Sequence, residues 1–111
     1  MERYLITAKY TSVAAAAVQA EGHTNRESAG RGLAESLGGQ VVTWMWLDGT
    51  EWDFAVLFDL PDYGAVRRMG ALSAASGAFE RTRVCRVSDS AEMDAASSLG
   101  GSWRPPGASP T

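Results

Sequence analysis

Residues 4–11 read Tyr-Leu-Ile-Thr-Ala-Lys-Tyr-Thr, aromatic and β-branched side chains that favour a pleated strand. An apolar run over residues 13–18 follows, with Thr11 or Ser12 as its cap and Gly22 as its stop, and predicts a short helix. Thr24-Asn25-Arg26-Glu27 has the form of a capping box, in which each end residue bonds the other's free backbone N–H, so a second helix is expected there. Its apolar positions Ala29, Leu33 and Leu37 recur at helical spacing until Gly38-Gly39. Residues 40–47 and 52–60 predict two strands, joined through Asp48-Gly49-Thr50-Glu51 as an antiparallel hairpin. Asp62 then caps a helix with a buried stripe at Val66, Met69 and Leu72. Gly64 and Gly70 weaken that helix, so packing on the sheet has to compensate, and Gly77 ends it. Residues 79–88 form a fourth strand, and Asp89 caps a last helix around residues 91–99.

The order strand, helix, strand, strand, helix, strand is the split βαβ arrangement: an α+β, ferredoxin-like βαββαβ fold with an antiparallel sheet. Residues 1–99 make the domain, and residues 100–111, rich in Gly, Pro and Ser, read as a C-terminal tail. Helices cover one face of such a sheet, and the alternation shows what lies on the other. Trp52, Phe54, Val56 and Phe58 are expected on one side, with Ala55 and Leu57 opposite and Asp53 and Asp59 at the ends. Trp44 and Trp46 oppose Thr43, Met45 and Leu47. Both faces are apolar, unlike a sheet with one face in water. A contiguous apolar patch of this size marks an interface, so a sheet-to-sheet homodimer is expected, in preference to a few exposed aromatics.

With 111 residues the chain suits one domain with its own core. The single cysteine, Cys85, excludes an internal disulfide and any multi-cysteine zinc site; the single histidine, His23, excludes a multi-histidine one. A reducing, cytoplasmic setting is therefore expected. Met1-Glu2-Arg3 leads straight into a strand pattern, without the charged start and apolar stretch of a secretory signal. The longest apolar run is far shorter than the roughly 20 residues that span a bilayer, so no membrane association is expected. The net charge is −3 and the arginines are scattered, which argues against nucleic-acid binding.

Several segments, in order and spacing, resemble the GYD-domain family. They are residues 4–11, Glu21-Gly22, Arg26, Leu37-Gly38-Gly39, Gly49-Thr-Glu-Trp-Asp53 and Leu60-Pro-Asp62. Ala75-Ser-Gly77, the Arg- and Thr-bearing fourth strand and Ala91-Glu-Met93 continue the match, which covers about residues 3–96. The name-giving Gly-x-Tyr-Asp motif is altered: Thr50 stands where the glycine would be, Trp52 replaces the tyrosine, and Asp53 is kept. Such families are similar to the dimeric α/β barrels, which include cofactor-independent monooxygenases, cyclases, isomerases and ligand-sensing domains of transcriptional regulators. The resemblance implies the fold and the dimer and leaves the chemistry open.

Few residues are equipped for chemistry. His23, just before the expected helix at Thr24, would stay neutral beside a helix N-terminus and serve as a proton acceptor, against the plainer role of an exposed loop histidine. An axial haem ligand needs only one histidine, so haem stays open, although no other feature argues for it and no cofactor is expected. Asp53, beside the hairpin turn, is either a cap for backbone N–H groups or a carboxylate at a pocket rim. With Asp48 and Glu51 it offers too few oxygens for a hard cation. Trp44, Trp46 and Trp52 are either core and dimer packing or the lining of a pocket for a flat, polyketide-like substrate, to which Tyr4 or Tyr10 adds a hydroxyl. Arg81, Arg83 and Cys85 alternate along the fourth strand. Arg83 either meets an anionic ligand or partner carboxylate or simply keeps an edge strand soluble, and Cys85 reads as a small buried hydrophobe in preference to a nucleophile.

The expected function is thus a small dimeric enzyme acting on a hydrophobic or aromatic metabolite by cofactor-independent oxygenation, cyclisation or isomerisation. His23 and Asp53 would be catalytic, and Tyr10, Trp44, Trp46, Trp52 and Arg83 would bind substrate. The alternative is a non-catalytic small-molecule-binding or assembly module.

Overall fold

In the computed structural model, which describes residues 1–109, β1 (Glu2–Tyr10) pairs antiparallel with two neighbours, β3 (Phe54–Leu60) on one side and β4 (Phe79–Val87) on the other. β2 (Gln40–Trp46) joins the far side of β3, giving one antiparallel sheet of order β2-β3-β1-β4. Three helices pack on it: α1 (Ser12–Glu21), α2 (His23–Ser36) and α3 (Tyr63–Ser76). A fourth, α4 (Ser90–Ser97), follows β4 and buries none of its residues. The protein is α+β with the ferredoxin-like βαββαβ connectivity, the first crossover being made by two consecutive helices. Among the described residues, no helix is long and apolar enough to cross a membrane.

The period-two alternation of the strands decides what is buried. Tyr4, Ala8 and Tyr10 of β1 and Phe54, Val56, Phe58 and Leu60 of β3 face the helices and meet Val18, Ala34, Val66 and Met69. In β2 the pairing slips between Val41 and Thr43, so that Val41 and Trp44, three residues apart, both pack against this core. The opposite face presents Leu5, Thr7, Met45 and Leu57 around a buried Ala55. On it the Thr7 hydroxyl is buried without a hydrogen-bond partner among the described residues. At one end Arg3 makes two bonds to the Asp59 carboxylate, at 2.9 and 3.1 Å. Cys85, expected to be buried, is exposed and free, because β4 is an edge strand of the sheet.

Four further sequence expectations are corrected. The capping box at Thr24–Glu27 is not formed. Gly22, at φ 102°, closes α1 by donating to the Val18 carbonyl and starts α2 at His23, so Thr24 already lies in the first turn and Glu27 pairs with Arg31 instead. A capping box does form at α4, between Asp89 and Glu92. β3 begins at Phe54, not Trp52: residues 47–53 form a loop held by Thr50, whose hydroxyl bonds both the N–H and the carbonyl of Trp52. That loop breaks the alternation and carries Trp52 to the open face, away from Phe54, where Arg81 and Arg83 lie over its ring at 4.9 and 5.6 Å. Leu72, expected in the buried stripe of α3, is 37% exposed, whereas Val66 and Met69 are buried.

Beyond α4 the chain to residue 109 has no helix or strand, and Trp103 is 78% exposed. The last two residues of the tail expected over residues 100–111 lie outside the described residues.

Candidate functional site: a cavity between helices and sheet

The helices do not close fully on the sheet. Between α1, α2 and α3 they leave a cavity of about 370 Å³, floored by Ile6, Ala8, Tyr10, Trp44, Phe54 and Phe58. Its walls owe their openness to small residues. α1 contributes Ala14 and Ala17, α2 contributes Ala29 and Gly30, and α3 contributes Gly70 and Ser73. A side chain at Gly70 would meet no atom within 4 Å. Gly30 is small for a different reason: a Cβ there would fall 2.2 Å from the six-membered ring of Trp44, so the glycine is what seats the indole under α2.

The aromatics are stacked in order. Trp44 lies nearly parallel to Phe54, with centroids 4.9 Å apart and planes at 15°. Tyr10 stacks on Phe79 at 5.3 Å and 19°, and tilts against Phe54 at 5.3 Å. These offset pairs hold the floor flat and rigid. The indole N–H of Trp44 is buried with no acceptor among the described residues, an uncommon and costly arrangement for a donor.

Polar groups enter the lining in two places. Ser73, Ser76 and Thr82 lie on the α3–β4 side. At the α1–α2 junction stand Glu21 and Arg26, which pair loosely at 3.7 Å, and their charges act on the Tyr10 hydroxyl. Burial pushes that phenol up to about 12, Arg26 pulls the other way, and the Asp53 and Glu21 carboxylates add to the rise. At neutral pH Tyr10 is therefore a hydrogen-bond donor and not a base.

Of the residues singled out from the sequence, Tyr10 and Trp44 line the cavity. Trp46 packs beside them, 5.6 Å from Trp44 and 5.8 Å from Phe54, but is not part of the lining. His23 is exposed at the start of α2 with its ring edge-on to Trp46 at 4.6 Å, so no histidine lines the cavity and a haem there would find no histidine ligand. Asp53 accepts the Tyr10 backbone N–H at 2.8 Å and donates its own N–H to the Ala8 carbonyl, which makes it the clip between β1 and the hairpin loop. Trp52 and Arg83 lie together on the open face. Among the described residues, no group of three or more His, Cys, Asp or Glu side chains is placed to hold a metal ion.

Sequence reasoning missed Glu21 and Arg26 as cavity residues. Glu21 precedes Gly22 and Arg26 lies one turn beyond it, and each reads as an ordinary solvated helix charge. Only the sharp α1–α2 junction, which folds one helix back on the next, brings both to the cavity.

No curated protein matches the chain. The family model for the GYD domain matches residues 4–97, most of its 111 residues and every element from β1 to α4. The chain belongs to the GYD-domain family.

Proposed function

We propose that this protein binds a flat, largely apolar small molecule in the cavity between its helices and its sheet. The observation that carries this reading is the cavity itself: about 370 Å³, walled by small and apolar residues and floored by stacked aromatics, with a few polar groups gathered at its ends. Sites for small molecules have this size and this make-up. The residues that hold the ligand are Trp44 and Phe54, which offer a flat surface, and Tyr10, which offers a hydroxyl.

Catalysis by oxygenation, cyclisation or isomerisation, in which the substrate supplies its own electrons, is the second reading. It is favoured by Tyr10, a donor held protonated at the end of an apolar chamber, where a developing oxyanion on the substrate would be stabilised. His23 and Asp53 lie outside the lining, so in this reading the polar role passes to Tyr10. Their position weighs toward binding without turnover.

A homodimer through the open sheet face belongs to the same proposal. Leu5, Met45, Ala55 and Leu57 make that face apolar, and a second copy would cover it. Light scattering of the purified protein tests this: a two-chain mass is expected, and Leu57→Glu should halve it.

Binding is tested with N-phenyl-1-naphthylamine, an uncharged aromatic fluorophore. Saturable one-site binding is expected, and Gly70→Phe, which fills the cavity from a position with room for a side chain, should weaken it at least tenfold while leaving the circular dichroism unchanged. Undiminished binding to the filled variant would refute the site.

A further inference from the structure

The end of the cavity at the α1–α2 junction is unbalanced. It holds two donors, the Tyr10 hydroxyl and the Arg26 guanidinium, against one carboxylate, Glu21. Glu21 comes no nearer to the Arg26 guanidinium than 3.7 Å, at Nη1, beyond ordinary hydrogen-bond length. Both side chains are about two-fifths exposed, at 39% and 40%, so the pair is screened and weak. The guanidinium keeps hydrogen-bonding capacity for another partner. An uncharged hydrocarbon filling the cavity would strip water from these donors and give nothing back, which costs free energy for each one left unpaired.

Resting on the small-molecule reading of the cavity, we propose that its ligand carries an anionic oxygen, a carboxylate, phenolate or enolate, at one end of an apolar planar body, and that Arg26 and Tyr10 are the residues that recognise it. Arg26 supplies the charge and Tyr10 a directed hydrogen bond. Glu21, being of like sign, sets a penalty on the anion that Arg26 must outweigh. The arrangement selects against cations and against fully apolar ligands of the same shape.

Two probes with one ring system separate charge from shape. N-phenyl-1-naphthylamine is uncharged, and 8-anilinonaphthalene-1-sulfonate adds a single anionic group. Arg26→Gln should weaken the sulfonate about tenfold, the size of a lost hydrogen bond to a charged group, and leave the uncharged probe within twofold. Tyr10→Phe, which keeps the ring stacked on Phe79, should weaken the sulfonate several-fold only. Glu21→Gln should act in the opposite direction and tighten the sulfonate.

Equal effects of Arg26→Gln on both probes, or no effect on either, would overturn the anion assignment. So would a Glu21→Gln variant that weakens the sulfonate. Loss of both probes in Gly70→Phe alongside that result would leave the cavity as a binding site for uncharged ligands. Retention of both in Gly70→Phe would remove the cavity and the anion seat together. Arg26 and Glu21 are part-exposed, and circular dichroism of each variant confirms that the fold is intact.

Discussion

The backbone N–H of Tyr10 donates to the Asp53 carboxylate across 2.8 Å, and this bond ties the last residue of β1 to the loop that precedes β3. The carboxylate that remains from the family's name-giving motif thus holds the strand end from which Tyr10 enters the cavity. It lies outside the cavity lining and acts on Tyr10 through position and charge.

Replacing Asp53 removes an acceptor and leaves that N–H unsatisfied. Asp53→Ala is expected to destabilise the fold by about 1–2 kcal/mol, and Asp53→Asn, which keeps an oxygen, by less. For a domain of this size the first should lower the melting temperature by roughly 4–10 °C. Binding of N-phenyl-1-naphthylamine at a temperature where the variant is folded should stay within about threefold of wild type. Loss of binding without loss of stability would contradict the clip.

Two glycines on the cavity wall should respond with opposite signs. Gly30→Ala forces a Cβ into the Trp44 ring, which is clamped against Phe54, and is expected to cost about 1–3 kcal/mol. Gly70→Ala meets nothing and removes a flexible residue from the interior of α3, so a gain of about 0.5–1 kcal/mol is expected. Urea denaturation of the two variants, side by side, checks the pair.

Alkaline pH should destabilise the fold. Tyr10 is pushed up to about 12 chiefly by burial, and Tyr4 to about 12 chiefly by its hydrogen bond to the Glu2 carboxylate. An unfolded chain loses these protons near 10, so above that pH the folded state holds more protons than the unfolded one. Stability is full below about pH 10 and falls as pH rises toward 12. Tyr10→Phe should flatten that fall, as read from denaturation midpoints between pH 9 and pH 11. Tyrosinate absorbance should show Glu2→Gln bringing the Tyr4 titration down.

At acid pH the relevant group is Asp59, whose carboxyl the Arg3 hydrogen bond holds below its ordinary value. The unfolded chain takes up this proton first as pH falls, so the pair's contribution is present above about pH 4 and is lost as pH drops through the folded value. Arg3→Ala should therefore reduce stability at pH 6 and leave it unchanged near pH 2. Equal losses at both pH values would place the role of Arg3 in packing and not in the ion pair.

Much of the fold was legible. Capping by Thr11, Asp62 and Asp89, the αL stop at Gly77 and the alternation of β1 and β3 are local effects, each set within a few residues, and the structure follows them. One failure came from a non-local bond and another from a local junction. Trp52 left the face of Phe54 because Asp53 bonds to β1 and the loop pivots there. The capping box at Thr24 was displaced because Gly22 joins two helices without a linker.

The site was less legible than the fold. Periodicity names the face on which Tyr10 and Trp44 lie, because alternation along a strand is a property of the chain alone. It cannot say that three helices would stop short of that face. That depends on Ala17, Gly30 and Gly70 coming together from separate elements, and on a glycine junction turning Arg26 and Glu21 toward Tyr10. The sequence determined the layers and their apolar sides through local geometry. Tertiary packing alone decided that a cavity lies between them and which charges stand at its end, since both are sums over residues distant in the chain.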